Sequence, residues 1–94
     1  MYNNCMDIEF DPTKDQVNVA KHGISLSEAE NLEWETLVRE ADSRQDYGEV
    51  RMIGYVLKGD RIFCVVFTER AGVRRIISLR KANKREVKRY AYKI

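Results

Sequence analysis

Ninety-four residues, 44% hydrophobic and 34% charged, are enough for one compact domain and too few for a second independent core. No apolar run approaches the ~20 residues that a bilayer span needs, and Asp7 and Glu9 sit where a secretory leader would be apolar. Membrane insertion and export are therefore set aside, and a cytoplasmic location is expected.

The formal charge of +2 conceals a division along the chain: residues 1–47 hold four Lys or Arg against eleven Asp or Glu, and residues 48–94 hold thirteen against four. Such an asymmetry points to a polyanionic partner for the basic half, or to two halves that attract each other within the fold. Cys5 and Cys64 are too few for a disulfide framework, and His22, the single histidine, cannot complete a zinc set with them. Two free thiols are expected, with no metal and no cofactor.

Met6 to Phe10 alternates as a short strand does and stops at Asp11-Pro12, an N-cap followed by the residue best suited to the first helical position. A helix is predicted from Pro12 to His22, with Val17 and Ala20 on its apolar side and Gly23 as its left-handed stop. Ser25 and Glu28 have the spacing of a capping box, which predicts a second short helix to about Trp34 with Leu26, Ala29 and Leu32 buried.

From Thr36 onward the spacing suits strands: a short one over Thr36–Glu40, a loop over Asp42–Gly48, then Glu49–Leu57, Arg61–Thr68 and Val73–Arg80. Short turns at Lys58-Gly59-Asp60 and Ala71-Gly72 make these neighbours antiparallel. The run Ile62 to Phe67 is apolar on both faces and belongs at the sheet centre. Asn83, three residues before Glu86, opens a last helix reaching Tyr92, with Val87, Tyr90 and Ala91 inward. The expectation is an α+β domain with an antiparallel sheet of about four strands, two N-terminal helices and one C-terminal helix, the helices covering one face.

The segments Phe10-Asp11-Pro12, Lys21-His22-Gly23-Ile24, Glu28-Ala29, Gly48-Glu49-Val50-Arg51, Gly54, Val66-Phe67-Thr68-Glu69-Arg70, the run Arg75 to Ala82, and Glu86 with Tyr90 follow one another along the chain. Taken in that order, they resemble BrnT-type toxins. The acidic stretch Glu28 to Glu40 and the Cys5-Met6 start depart from many relatives. The resemblance implies a RelE-like fold, metal-independent endonucleolytic cleavage of RNA, growth inhibition, and neutralisation by a BrnA-type antitoxin. It also implies contact with operator DNA only through that antitoxin. A non-catalytic nucleic-acid or partner-binding module built on the same arginines is the competing reading.

Cleavage of RNA by its own 2′-hydroxyl needs a base, an acid for the leaving oxygen, and cations on the phosphate. His22 is the side chain whose ordinary pKa lies near neutrality, although a His before a helix-ending Gly also serves the last carbonyls. Arg80, at a strand end, is the expected phosphate cation, and Glu69 is either a base or half of an ion pair with Arg75. Strand alternation places Arg74, Ser78 and Arg80 on one face and Arg75 on the other. Lys21, Arg51, Arg70, Arg74, Arg75, Lys81 and Arg85 are the RNA-binding candidates, and Lys84, Lys88 and Arg89 extend a phosphate track along the last helix. Tyr47, Tyr55 and Tyr90 could stack a base, with Tyr90 better placed for the core, and Cys64 reads as buried.

Overall fold

The computed structural model describes residues 7–43 and 48–93. Cys5, Met6 and Tyr47 lie outside the described residues. In chain order the elements are β1 (Asp7–Phe10), α1 (Pro12–His22), a 3₁₀ helix (Leu26–Asn31), β2 (Glu33–Ala41), β3 (Met52–Lys58), β4 (Arg61–Arg70), β5 (Val73–Lys81) and α2 (Lys84–Lys93). The strands form a five-stranded sheet in the order β1-β5-β4-β3-β2, with β4, the doubly apolar run, at its centre. The sheet is mixed, because β1 runs parallel to β5 from Asp7↔Val73 to Phe10↔Ile76. The expected four antiparallel strands are thus five, and the extra pairing escaped the reasoning from short turns because most of the chain separates β1 from β5. No helix among the described residues is long and apolar enough to cross a membrane.

Asp11 caps α1 by accepting the Thr13 N–H at 2.7 Å, and Gly23 ends it at φ 70°. The second N-terminal helix is instead a six-residue 3₁₀ helix, and Trp34 belongs to β2. Ser25 caps this turn through the Ser27 N–H, but Glu28 turns away to Lys58, so the capping box never closes. At the β4–β5 turn both Ala71 (φ 54°) and Gly72 (φ 80°) are left-handed, the backbone that a two-residue hairpin requires.

Each face of the sheet has its own cover, a correction to the expected single layer. One face carries Phe63, Val65, Phe67, Val56, Ile76 and Leu79 under Leu26, Ala29 and Leu32 of the 3₁₀ segment. The other holds Tyr55 and Cys64 beneath Tyr90 of α2. Asn83 and Glu86 exchange backbone-to-side-chain bonds of 2.8 and 2.9 Å, which closes the expected capping box of α2. Tyr90 anchors the helix further by donating to the Thr36 carbonyl at 2.9 Å. Val87 and Ala91, expected to point inward, are exposed.

An irregularity in β5 decides which side chains share a face. Val66 pairs with Ser78 but the next residue, Phe67, pairs with Ile76, so Ile77 has no partner on β4. This β-bulge shifts the alternation by one. Ile76 and Leu79 can then both enter the same core, and Arg74 lies on their face, 7% exposed, with its guanidinium 4.0 Å from the Trp34 ring centroid. Arg80 emerges on the opposite face beside α2. Arg74 and Arg80 are therefore separated by the sheet, against the expectation from strict alternation.

In α1 the buried residue is Asn18, whereas Val17 and Ala20 are exposed. The reason is backbone hydrogen bonding. β1 ends opposite Ile76, which leaves the outer edge of β5 open beyond that point. Asn18 Nδ2 donates to the Leu79 carbonyl at 2.8 Å and to the Ile24 carbonyl at 2.9 Å, and its Oδ1 accepts the Leu79 N–H at 3.1 Å. One amide side chain thereby replaces a missing strand. Asn18→Ala should lower stability by about 2–4 kcal/mol by leaving these buried backbone groups without partners. In thermal unfolding that is a fall of roughly 10–20 °C, while the exposed Val19→Ala should shift the midpoint by only a few degrees.

Candidate nucleic-acid interface

The face beneath α2 is only partly covered, and the uncovered part is a cleft of about 450 Å³. Ser78 and Arg80 of β5, Val66 of β4, and Ile53 and Tyr55 of β3 form its floor, and Glu86 of α2 forms part of its wall. Arg80 Nη1 and Nη2 donate to the two Glu86 carboxylate oxygens at 2.8 Å each, and Nη1 also reaches the Lys81 carbonyl at 3.3 Å. A guanidinium has five N–H groups. Its Nε–H and one Nη2–H have no partner among the described residues.

Glu86 is held low, at about 2, first by the hydrogen bonds from Arg80 and against the opposing effect of its own burial. The same pairing raises Arg80, so the guanidinium stays charged. Tyr55 approaches Glu86 at 3.4 Å, and burial pushes its hydroxyl above the usual tyrosine range. Neither the capping pattern nor the resemblance identifies Glu86 as the partner of Arg80. It is the sole acidic residue after Glu69, and one acid in so basic a run signals an ion pair.

The other two candidates for catalysis lie elsewhere. Glu69 is on the opposite face, shared between Arg39 at 2.6 Å and Arg74 at 2.8 Å. Burial acts to raise it, yet these two bonds prevail and hold it below the usual carboxylate range. Arg75, an RNA-binding candidate with a pair to Glu69 as the alternative, pairs with Glu9 of β1 at 2.6 Å, because the parallel strand brings Glu9 directly opposite it. His22 stands exposed at the end of α1. It lines one cavity of about 470 Å³ with Lys58, Phe63 and Lys81, and a second of about 250 Å³ with Lys14, Lys21 and Ser78.

The remaining RNA-binding candidates are dispersed. Arg51 precedes β3 and bonds Glu49 at 3.0 Å, and Arg70 is exposed at the β4–β5 turn, both at the end of the sheet away from Arg80. Lys21 and Lys81 flank His22, and Arg85 is exposed on α2. Arg89 faces Glu40 at 3.5 Å across the rim of the cleft. Cys64 is buried in the floor and Tyr90 in the core, as expected.

The Arg80–Glu86 pair makes stability depend on acid. Because Glu86 is lower in the folded chain than its ordinary value of 4.5, its contribution is complete above that value and is lost as pH falls toward 2. Allowing for the solvent contact of Arg80, this amounts to about 2 kcal/mol. Thermal melts of Glu86→Gln should therefore lie below those of the parent at pH 7 and converge with them as the pH falls from 5 to 2.

Residues 10–86 match the family described as the ribonuclease toxin, BrnT, of type II toxin–antitoxin systems. The crystal structure of the Brucella abortus ribonuclease toxin BrnT superposes with a TM-score of 0.61 at 25% identity, covering 85% of this chain and 100% of that one. No curated protein matches. With the family match running through β1's last residue to Glu86 itself, the chain belongs to the BrnT family of ribonuclease toxins from type II toxin–antitoxin systems.

Proposed function

We propose that the chain is an endoribonuclease toxin whose scissile phosphate binds in the cleft beneath α2. The supporting observation is Arg80: its fork is fixed by Glu86, it remains charged, and two of its N–H groups are left for a phosphate. A guanidinium already oriented toward developing negative charge lowers the barrier to the pentacovalent phosphate without reorganising at the moment of reaction. The 2′-hydroxyl attacks the adjacent phosphorus, the P–O5′ bond breaks, and the products carry a 2′,3′-cyclic phosphate and a 5′-hydroxyl. Metal-independent cleavage is part of this reading, and activity in the presence of a chelator tests it.

In the cell the reading entails growth arrest in the cytoplasm, relieved by a BrnA-type antitoxin encoded beside the toxin. The antitoxin alone would connect the pair to operator DNA. Expression of the chain with and without its neighbouring reading frame tests this, and undisturbed growth with abundant folded protein would count against it.

Arg80→Ala should lower RNA cleavage by about two orders of magnitude or more, since one fixed cation at such a phosphate contributes several kcal/mol to the barrier. Arg80→Ala also strands Glu86, so part of the loss could reflect folding. Arg80→Ala combined with Glu86→Gln removes both partners, and should regain stability without regaining cleavage. His22→Ala provides the contrast: a proton-transfer role predicts lost cleavage with an unchanged melt, and a helix-end role predicts the reverse. Cleavage by the double variant within a few-fold of the parent would remove Arg80 from the site.

A further inference from the structure

We infer that the bound RNA does not stay on the α2 face but crosses the open edge of β5, placing a nucleotide next to the cleaved bond in the cavity between α1 and Ile77. The inference rests on the ribonuclease reading for which strand is bound, and on separate observations for where it goes.

The first observation is connectivity. Ser78 lines both the Arg80 cleft and the cavity of about 250 Å³ against α1, and His22 lines that cavity and the one containing Lys81. Three depressions therefore follow one another around the part of β5 that β1 leaves uncovered. Asn18 closes the backbone of that edge at Leu79 without building a wall above it.

The second is charge. The Arg80 cleft already holds three carboxylates, Glu40, Asp42 and Glu86, against the two guanidiniums of Arg80 and Arg89. The middle cavity contains Lys14, Lys21 and His22 and no carboxylate. Neither lysine has an ion-pair partner among the described residues. Uncompensated cations around a recess attract a chain of phosphates rather than an acidic side chain already matched elsewhere.

The third is an apolar floor that the fold does not use. Val17 is 52% exposed although it sits centrally in α1, and Ile77 is the bulged residue with no partner on β4. Both line this cavity. An isolated exposed valine needs no explanation, but two aliphatic side chains lining a cavity with two lysines present a flat base with an apolar surface and its phosphates with donors. Bulges often redirect side chains next to active sites, and this one delivers Ile77 to the edge one residue before Ser78.

The test uses the full chain and a ten-nucleotide single-stranded RNA carrying 2′-O-methyl groups, which block attack and leave binding measurable. Lys14→Gln combined with Lys21→Gln should weaken this probe about tenfold near physiological salt. The slope of log affinity against log salt should become shallower by about 1.4, from two lost phosphate contacts at ~0.7 each. A 4-thiouridine in the same probe should crosslink to residues 13–22 or 77–78. Melting temperatures should match the parent, since both lysines are exposed. Affinity within twofold of the parent with an unchanged slope would overturn the inference while leaving cleavage at Arg80 intact. So would loss of antitoxin binding by this variant with RNA affinity retained, which would make α1 a protein-docking surface. The ribonuclease reading fails separately, if the parent binds the probe by this path but never cuts unmodified RNA.

Discussion

The bulge at Ile77 governs what the two faces of the sheet can hold. The run Arg74 to Arg80 contains two hydrophobic phases, because Arg74 and Ile76 share one parity and Leu79 the other. A regular strand could bury Ile76 or Leu79 on a given face, but not both. Burying a second aliphatic side chain contributes ~1.5–3 kcal/mol, more than the ~1 kcal/mol lost with an interrupted ladder bond. The irregular pairing is therefore the stable one, and its consequence is functional. Arg74 goes to the aromatic side, over Trp34 and Phe67, while Arg80 goes to the cleft.

Carboxylates then determine which cations are available. Glu9, Glu28 and Glu40 of the acidic half pair with Arg75, Lys58 and Arg89 of the basic half, and Glu69 pairs back with Arg39. Part of the charge division along the chain is thus the attraction of the two halves for each other. These contacts are largely exposed and individually worth little. Their larger effect is subtraction: arginines that look suited to RNA, such as Arg75, already have partners. Among the described residues, the cations with no ion pair include Lys14 and Lys21 on α1, Lys81 beside it and Lys84, Arg85 and Lys88 on α2, while Arg61 and Arg70 lie apart at the sheet's turns.

What was legible in the sequence was whatever depends on neighbours along the chain. The Asp11 and Asn83 caps, the Gly23 stop, the Ala71-Gly72 turn and the central position of Ile62–Phe67 all rest on such local signals. What failed depends on distant segments. β1 finds its parallel partner across most of the chain, and nothing within Asp7–Phe10 announces Val73. The face assignments on β5 failed because alternation cannot count a bulge. Asn18 was overlooked because amphipathic reasoning selects Val17 and Ala20, although a polar, poorly helix-forming residue in mid-helix is itself a signal. For the site, Arg80 was legible as a strand-end cation, but its distance from Glu69 and its pairing with Glu86 were not.

At the edge of β5 the bulge, the short reach of β1 and the charge of α1 meet in a single place. β1 must stop at Phe10 because Asp11-Pro12 begins a helix, and so it covers only the first half of β5. An uncovered edge invites pairing with another chain, and proteins suppress this with charge, bulges or an overlying element. Here all three coincide: Ile77 is bulged, Asn18 occupies the Leu79 backbone groups, and Lys14 and Lys21 flank the gap. The devices that keep another strand away leave an accessible, positively charged passage between the two faces. A polynucleotide needs no backbone ladder to enter such a passage, only cations and an apolar shelf, so the same edge discourages one kind of chain and admits the other.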